Sequence, residues 1–250
     1  MEFTKNVALV HDWLVGMRGG EKVLELLCEL FPDATLFTLV HRPGSVAPAI
    51  ERLPIRTSFL QQLPFGRSHY RYYLPLFPAA ARLLDARDFE LVISSSHAAA
   101  KGIRVGKGAL HVCYCHTPMR YIWDQHDQYF GPGRSPFPVR AGMKLIVGRL
   151  RRWDVASSRN VGHFIANSRT VQERIRRIYN RESTVIYPPV DVDRFPLSGR
   201  DEGFYLIVSA LVPYKRIDLA IEAFSRLSRR LVIVGTGPEE KKLRSLAGPN

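Results

Sequence analysis

Two stretches carry residue types and spacings suited to a hydroxylated or anionic ligand. In "VALVHDWLVGMRGGEKVLELL", residues 7–27, an apolar strand-like run meets Gly16, Gly19 and Gly20 before an amphipathic run begins. Glycines admit close approach of a ligand to the backbone, and free amides opening a helix near Glu21 attract an anion. The spacing is neither G-x-G-x-x-G nor a loop closed by G-K-[ST], which argues against NAD and ATP. A diphosphate, a sugar hydroxyl and a simple tight turn stay open. In "HVCYCH", residues 111–116, two cysteines and two histidines crowd together. Strand alternation sends Cys113 and Cys115 to one face and His116 to the other, so no metal site is expected. With Cys28 they make three cysteines, an odd number read as reduced core thiols.

Short apolar runs alternate with longer helical patterns, the mark of a parallel sheet covered by helices and hence of an α/β fold. Strands are predicted at 7–10, 34–40, 55–59, 91–94, 110–114, 164–166 and 184–186, and helices at 21–31, 70–84, 143–158 and 170–179. A connector rich in proline, with Pro188, Pro189, Pro196 and Gly199, follows. The pattern then restarts with a strand at 204–209, a helix at 217–227 and a strand at 231–234. The expected division is therefore an N-terminal Rossmann-like domain at 1–187, a linker at 188–203, and the start of a second Rossmann-like domain at 204–250. An ordinary nucleotide-binding sheet has around six strands, so the second domain is expected to be incomplete, cut short or completed by a partner.

With 250 residues, 46% of them hydrophobic, the chain can bury a substantial core. No run approaches the roughly 20 apolar residues of a membrane span, and the opening "MEFTKNVALVHD" lacks a signal-peptide pattern, so a cytoplasmic location is expected. The net charge of +13 is concentrated: residues 134–181 hold twelve Lys or Arg against Asp154 and Glu173. Such a surface favours phosphorylated ligands, acidic lipid headgroups or nucleic acid. Nucleic acid has charge alone in its favour, since the aromatic residues cluster in one loop instead of interleaving with the basic run, and none is expected as a partner. In the helix at 143–158, Met143, Ile146, Val147, Leu150 and Trp153 share one side, with Lys144, Arg149, Arg151 and Arg152 largely elsewhere. One side packs on the sheet, and the basic side suits peripheral contact with an anionic membrane.

Four segments, "HDWLVGMRGGEKVLELL", "HVCYCHTPMRYIWD", "FIANSRTVQERIRRIYNRESTVIYPPVDVDRF" and "LIVSALVPYKRIDLAIEAF", together and in this order resemble retaining glycosyltransferases of family 4. The likeness is greatest to bacterial mannosyltransferase-like members. The resemblance implies a GT-B fold, two Rossmann-like domains across a cleft, the first mainly for acceptor and the second mainly for nucleotide-sugar donor. It places Gly19 and Gly20, with Gly16, beside the donor diphosphate, and His116 at the donor sugar, where it would hydrogen-bond a hydroxyl and steady charge at the anomeric carbon. Lys215 matches the lysine that neutralises the leaving diphosphate, so His116 and Lys215 are the expected catalytic pair. Many members carry an arginine five residues before that lysine; here Ala210 stands there, leaving Arg216 or Arg120 to compensate. Gly235 and Gly237 match the next turn near the nucleotide. The family's two glutamates seven residues apart have no counterpart, because Glu239 and Glu240 lie too early and side by side.

The loop "YIWDQHDQYFGPGRSPFP", residues 121–138, offers rings that cover apolar sugar faces and acids that accept hydroxyl protons. Tyr121, Trp123 and Asp124 are thus acceptor-side candidates, with Asp12, Trp13 and Arg120. The resulting expectation is transfer of a hexose, by the resemblance mannose from GDP-mannose, to a saccharide or lipid-linked saccharide in surface polysaccharide assembly, without a cofactor. The alternative is a non-catalytic half-transferase that binds acceptor or an anionic membrane.

Overall fold

The computed structural model describes residues 6–133, 135–196 and 199–250, and the chain divides into two compact units, Met1–Val190 and Asp191–Asn250. In the first unit the strands are β1 (Val7–His11), β2 (Thr35–Thr38), β3 (Ile55–Thr57), β4 (Asp85–Ala86), β5 (Leu91–Ser96), β6 (Arg104–Val105), β7 (Leu110–Cys115), β8 (His163–Ala166) and β9 (Ser183–Val185). All except β4 and β6, which pair with each other, form one parallel sheet of order β3-β2-β1-β5-β7-β8-β9. The helices are α1 (Gly19–Leu30), α2 (Pro48–Glu51), α3 (Gly66–His69), α4 (Phe77–Leu83), α5 (His126–Phe130), α6 (Phe137–Ser158) and α7 (Arg169–Tyr179).

Alternation along β1 sorts the core onto the two sheet faces. Ala8 and Val10 join Val92, Phe77 and Ala80 of α4, and Met143 and Leu150 of α6. Leu9 turns the other way to Leu36, Ile93, and Leu24 and Cys28 of α1. Each fully buried leucine here contributes roughly 1.5–3 kcal/mol. Cys113 and Cys115 pack with Phe164 and with Val171 and Ile175 of α7, and all three cysteines are free thiols.

The chain runs outward from β1 to β3 on one side, then returns to place β5 on the other. Strand order therefore reverses between β1 and β5, and the crevice beyond the carboxyl ends of these strands is where open α/β sheets bind ligands.

Local chemistry explains where the elements depart from the sequence pattern. The helix predicted at 70–84 is a 3₁₀ run over Tyr70–Leu76 followed by α4, because Pro75 and Pro78 cannot donate the hydrogen bonds of a continuous α-helix. Strand β3 stops at Thr57 because Ser58 Oγ accepts the Leu60 N–H at 3.2 Å, capping a 3₁₀ turn at the predicted strand end. Helix α6 starts at Phe137, before the predicted 143, with Pro138 in its first turn, where a missing N–H goes unnoticed. Two-residue strands such as β4 and β6 lie below what periodicity resolves.

In the second unit β10 (Tyr205–Val208) and β11 (Leu231–Val234) are parallel, with α8 (Ile217–Leu227) and α9 (Glu240–Leu246). Ile217 and Ile221 of α8 pack with Leu211 and Leu243, while Val208 on β10 is 72% exposed.

Candidate active site

The polar residues of the first unit gather at the reversal of strand order. Strand β1 ends in His11, with Asp12 next, β5 ends in Ser95 and Ser96 ahead of His97, and β7 leads into His116. Ser95 Oγ sits between two imidazoles, 3.1 Å from His11 Nδ1 and 2.8 Å from His116 Nε2. The first turn of α1 lies against the same rings: a Cβ on Gly20 would stand 3.5 Å from His11 Cε1 and 3.6 Å from His116 Nε2. Glu21 Oε2 accepts the Arg18 N–H at 3.1 Å, closing the helix start, while Oε1 faces His11 Nε2 at 3.7 Å. Gly16 and Gly19 have open space where a side chain would be.

Burial, followed by the neighbouring His11 and His97, holds the pKa of His116 down at about 3. The ring is therefore neutral at pH 7. Its Nδ1 has no partner among the described residues and is not sealed from solvent. His97, depressed to about 4 chiefly by burial, is neutral as well, and its ring stacks edge-on against Trp13 with centroids 4.4 Å apart. The half-buried Arg120 guanidinium makes no ion pair among the described residues, and its charge adds to the forces opposing protonation of His97.

Asp12 is not available to an acceptor, contrary to the sequence expectation. Its carboxylate is fully buried and accepts four backbone N–H groups, those of His97 (2.6 Å), Ala98 (2.9 Å), Ala99 (2.6 Å) and Ala100 (2.7 Å). Burial opposes its ionisation, but His97, His11 and these amides outweigh it, and the pKa lies below the ordinary carboxylate value. Trp13 is likewise a core residue, packed on Tyr70 and Phe77. Trp123 donates its indole N–H to Asp154 Oδ2 at 2.8 Å, and Asp124 is held by Arg174 at 3.0 Å and Arg177 at 2.5 Å. Their polar groups are thus spent on the fold. Tyr121 is half-buried with its ring 4.9 Å from Tyr129.

Sequence reasoning missed the buried centre around Asp154. Its carboxylate pairs with the Lys101 ammonium and accepts from Trp123 Nε1 and, at 3.0 Å, from the Tyr179 hydroxyl. Lys101 follows the turn that Asp12 caps, so the two buried carboxylates fix successive parts of one segment beneath the crevice. The available signal was spacing: residues 143, 147, 150 and 154 share a helix face, which set an aspartate among apolar neighbours. In "HVCYCH" the polar atoms go separate ways, His111 to Ser94 Oγ at 2.9 Å and His116 to Ser95. No cluster of metal ligands occurs among the described residues.

In the second unit Lys215 ends a 3₁₀ turn after β10, exposed and without an ion pair among the described residues. Arg216 binds Asp218 through Nε at 3.0 Å, and its φ of 50° lies in the left-handed region. Gly235 and Gly237 let the turn after β11 lie on the segment after β10: Cβ atoms there would come within 1.8 Å of Ser209 O and 2.3 Å of Leu211 O. Leu211 N–H donates to Thr236 O at 2.9 Å across this contact.

A parallel sheet with its polar cluster at the reversal of strand order, followed by a second βαβ unit, is the fold of the GT-B glycosyltransferases. Residues 17–194 match Glycosyltransferase Family 4 and residues 191–248 match Glycosyl transferases group 1. The chain belongs to glycosyltransferase family 4. The crystal structure of Anabaena Alr3699/HepE in complex with UDP and glucose is similar, with TM-score 0.60 and 15% identity over 96% of this chain and 64% of that one. Its complex with UDP gives a TM-score of 0.61 over the same shares. At that identity the likeness shows the fold alone, and the chain spans under two thirds of that structure's length. No curated protein matches the sequence.

Proposed function

We propose that this chain carries out hexosyl transfer, with retention, from a nucleoside-diphosphate sugar to a saccharide or lipid-linked saccharide acceptor in surface polysaccharide assembly. The observation that carries the reading is His116, a neutral imidazole with an open Nδ1, set against the glycine turn that starts α1. A neutral ring accepts a sugar hydroxyl proton without titrating at physiological pH. The amides of Gly19 and Gly20 suit the diphosphate, and the unpaired Lys215 suits the charge that develops as the nucleoside diphosphate leaves. Arg120, lacking an ion pair, is the cation retained on the acceptor side, with Tyr121.

Mannose from GDP-mannose is the donor we favour on the sequence resemblance, while Alr3699/HepE holds UDP and glucose. Both nucleotides therefore belong in the test. The full chain is incubated with radiolabelled GDP-mannose or UDP-glucose and a lipid-linked saccharide extract, and label in the extract is counted. Transfer that falls by about 10²–10³-fold in His116→Ala and in Lys215→Ala supports the reading. Absence of transfer, together with no calorimetric binding of GDP or UDP, overturns it in favour of a non-catalytic acceptor-binding half.

Work at the cytoplasmic face of a membrane fits helix α6, which buries Met143 and Leu150 while Lys144, Arg149, Arg152 and Leu145 face outward. No helix among the described residues is long and apolar enough to cross a membrane. Co-sedimentation with phosphatidylglycerol vesicles, lost on reversing these three charges, is the expected result.

A further inference from the structure

We propose that Ser95 and His11 are positioning residues that fix which nitrogen of His116 carries the proton, leaving Nδ1 as a bare acceptor toward the sugar hydroxyl. The role of Nδ1 at a sugar rests on the transferase reading; the wiring behind it does not.

The wiring follows from counting protons. Ser95 is fully buried and its hydroxyl has a single proton, yet Oγ contacts both His11 Nδ1 and His116 Nε2. It donates to one ring and accepts from the other. Which way it points is decided at the far end of the chain. His11 is fully buried, and its Nε2 has no hydrogen-bond partner; the group facing it is the Glu21 carboxylate, 3.7 Å away. Glu21 lies below the ordinary carboxylate value despite burial, with His11 the chief lowering influence, so it is ionised and attracts an N–H. When the His11 ring carries a single proton, the facing Glu21 carboxylate draws it to Nε2 and a lone pair stands at Nδ1. Ser95 then donates to His11 and accepts from His116 Nε2–H. A neutral His116 protonated at Nε2 has no proton left for Nδ1, which is the nitrogen open to solvent.

The order Glu21, His11, Ser95, His116 joins α1, β1, β5 and the end of β7, so four elements meeting at the reversal of strand order set one proton. Gly20 belongs to the same device. Its Cα lies over the Nε2 edge of His116, where a Cβ would stand in ordinary van der Waals contact, so α1 covers that edge of the ring.

Two-bond ¹⁵N–¹H correlation spectra of the full chain at pH 7, with no substrate present, read the state of each ring directly; His116→Gln identifies the signals. The expected result is a neutral His116 with a protonated Nε2 and a bare Nδ1. In His11→Phe the hydroxyl of Ser95 loses its acceptor and turns to His116, so the proton moves to Nδ1. In Ser95→Ala the ring samples both forms, and kcat falls by about tenfold, the scale of one orienting hydrogen bond, with donor KM little changed. A His116 protonated at Nδ1 in the wild-type chain, or one unmoved by both substitutions in folded protein, overturns the proposal. If the spectra agree and no nucleotide sugar supports transfer, the wiring stands and the transferase reading falls.

Discussion

The two units present their polar groups in opposite ways. In the first, the two carboxylates beneath the crevice are buried and partnered: Asp12 by four amides, and Asp154 by Lys101, Trp123 and Tyr179. In the second, Lys215 and Arg216 stand in solvent, Arg216 pairs among the described residues with its near neighbour Asp218, and the strand residue Val208 is itself exposed. A buried, satisfied group cannot reorient, so the first unit meets a ligand already arranged. An exposed lysine loses rotamer freedom when it binds an anion and is oriented by the ligand itself. The contrast separates residues whose loss unfolds the protein from residues whose loss only slows it.

The largest effect expected from that contrast is in Asp12→Ala. Four buried N–H groups lose their acceptor, each costing about 1–3 kcal/mol, a sum comparable to the whole stability of a domain. Lys101→Met leaves Asp154 buried with an uncompensated charge and is expected to cost about 3–5 kcal/mol. Urea unfolding followed by tryptophan fluorescence checks both; a midpoint within error of the wild type would break the contrast. In the second unit Lys215→Ala is expected to leave the midpoint unchanged while transfer falls by about 10²–10³-fold.

Acid sharpens the same division. His97 and His111 are depressed to about 4, and His116 to about 3, chiefly by burial. Each binds fewer protons folded than unfolded, so its stabilisation is complete above the ordinary 6.5 and is lost as pH falls toward about 4 for His97 and His111 and about 3 for His116. The sum over three rings is on the order of several kcal/mol. All eight histidines lie in the first unit. Amide exchange at pH 4.5 should therefore show β1, β5 and β7 deprotected well before α8; uniform loss in both units would contradict the assignment.

The strands were legible because parallel strands buried on both faces read as short continuous apolar runs, such as "VALV" and "LVIS", and α8 was legible from its spacing alone. Glycines flanking strand ends and His116 also stood out locally. The roles of Asp12, Trp123 and Asp124 did not, since their partners lie far along the chain: Asp12 binds amides 85 to 88 residues away, and Asp124 binds Arg177 across 53. An aspartate that suits a sugar and one that caps a buried turn have the same letter and the same neighbours. Only the fold, by bringing β5 beside β1, distinguishes them.

The smallest expected effect falls on Arg216 and is informative for that reason. Its pair with Asp218 is exposed to solvent and adds little to stability. Its φ of 50° costs an ordinary residue about 1–2 kcal/mol, which glycine avoids while losing about 0.5–1 kcal/mol to chain entropy. These contributions oppose one another, so Arg216→Gly should leave the urea midpoint close to that of the wild type. If Arg216 compensates for the cation missing at Ala210, the same variant weakens binding of the nucleoside diphosphate by about tenfold, while Asp218→Ala, which frees the guanidinium, does not weaken it. Equal weakening in both would assign the pair to shaping the turn before α8 rather than to the phosphate.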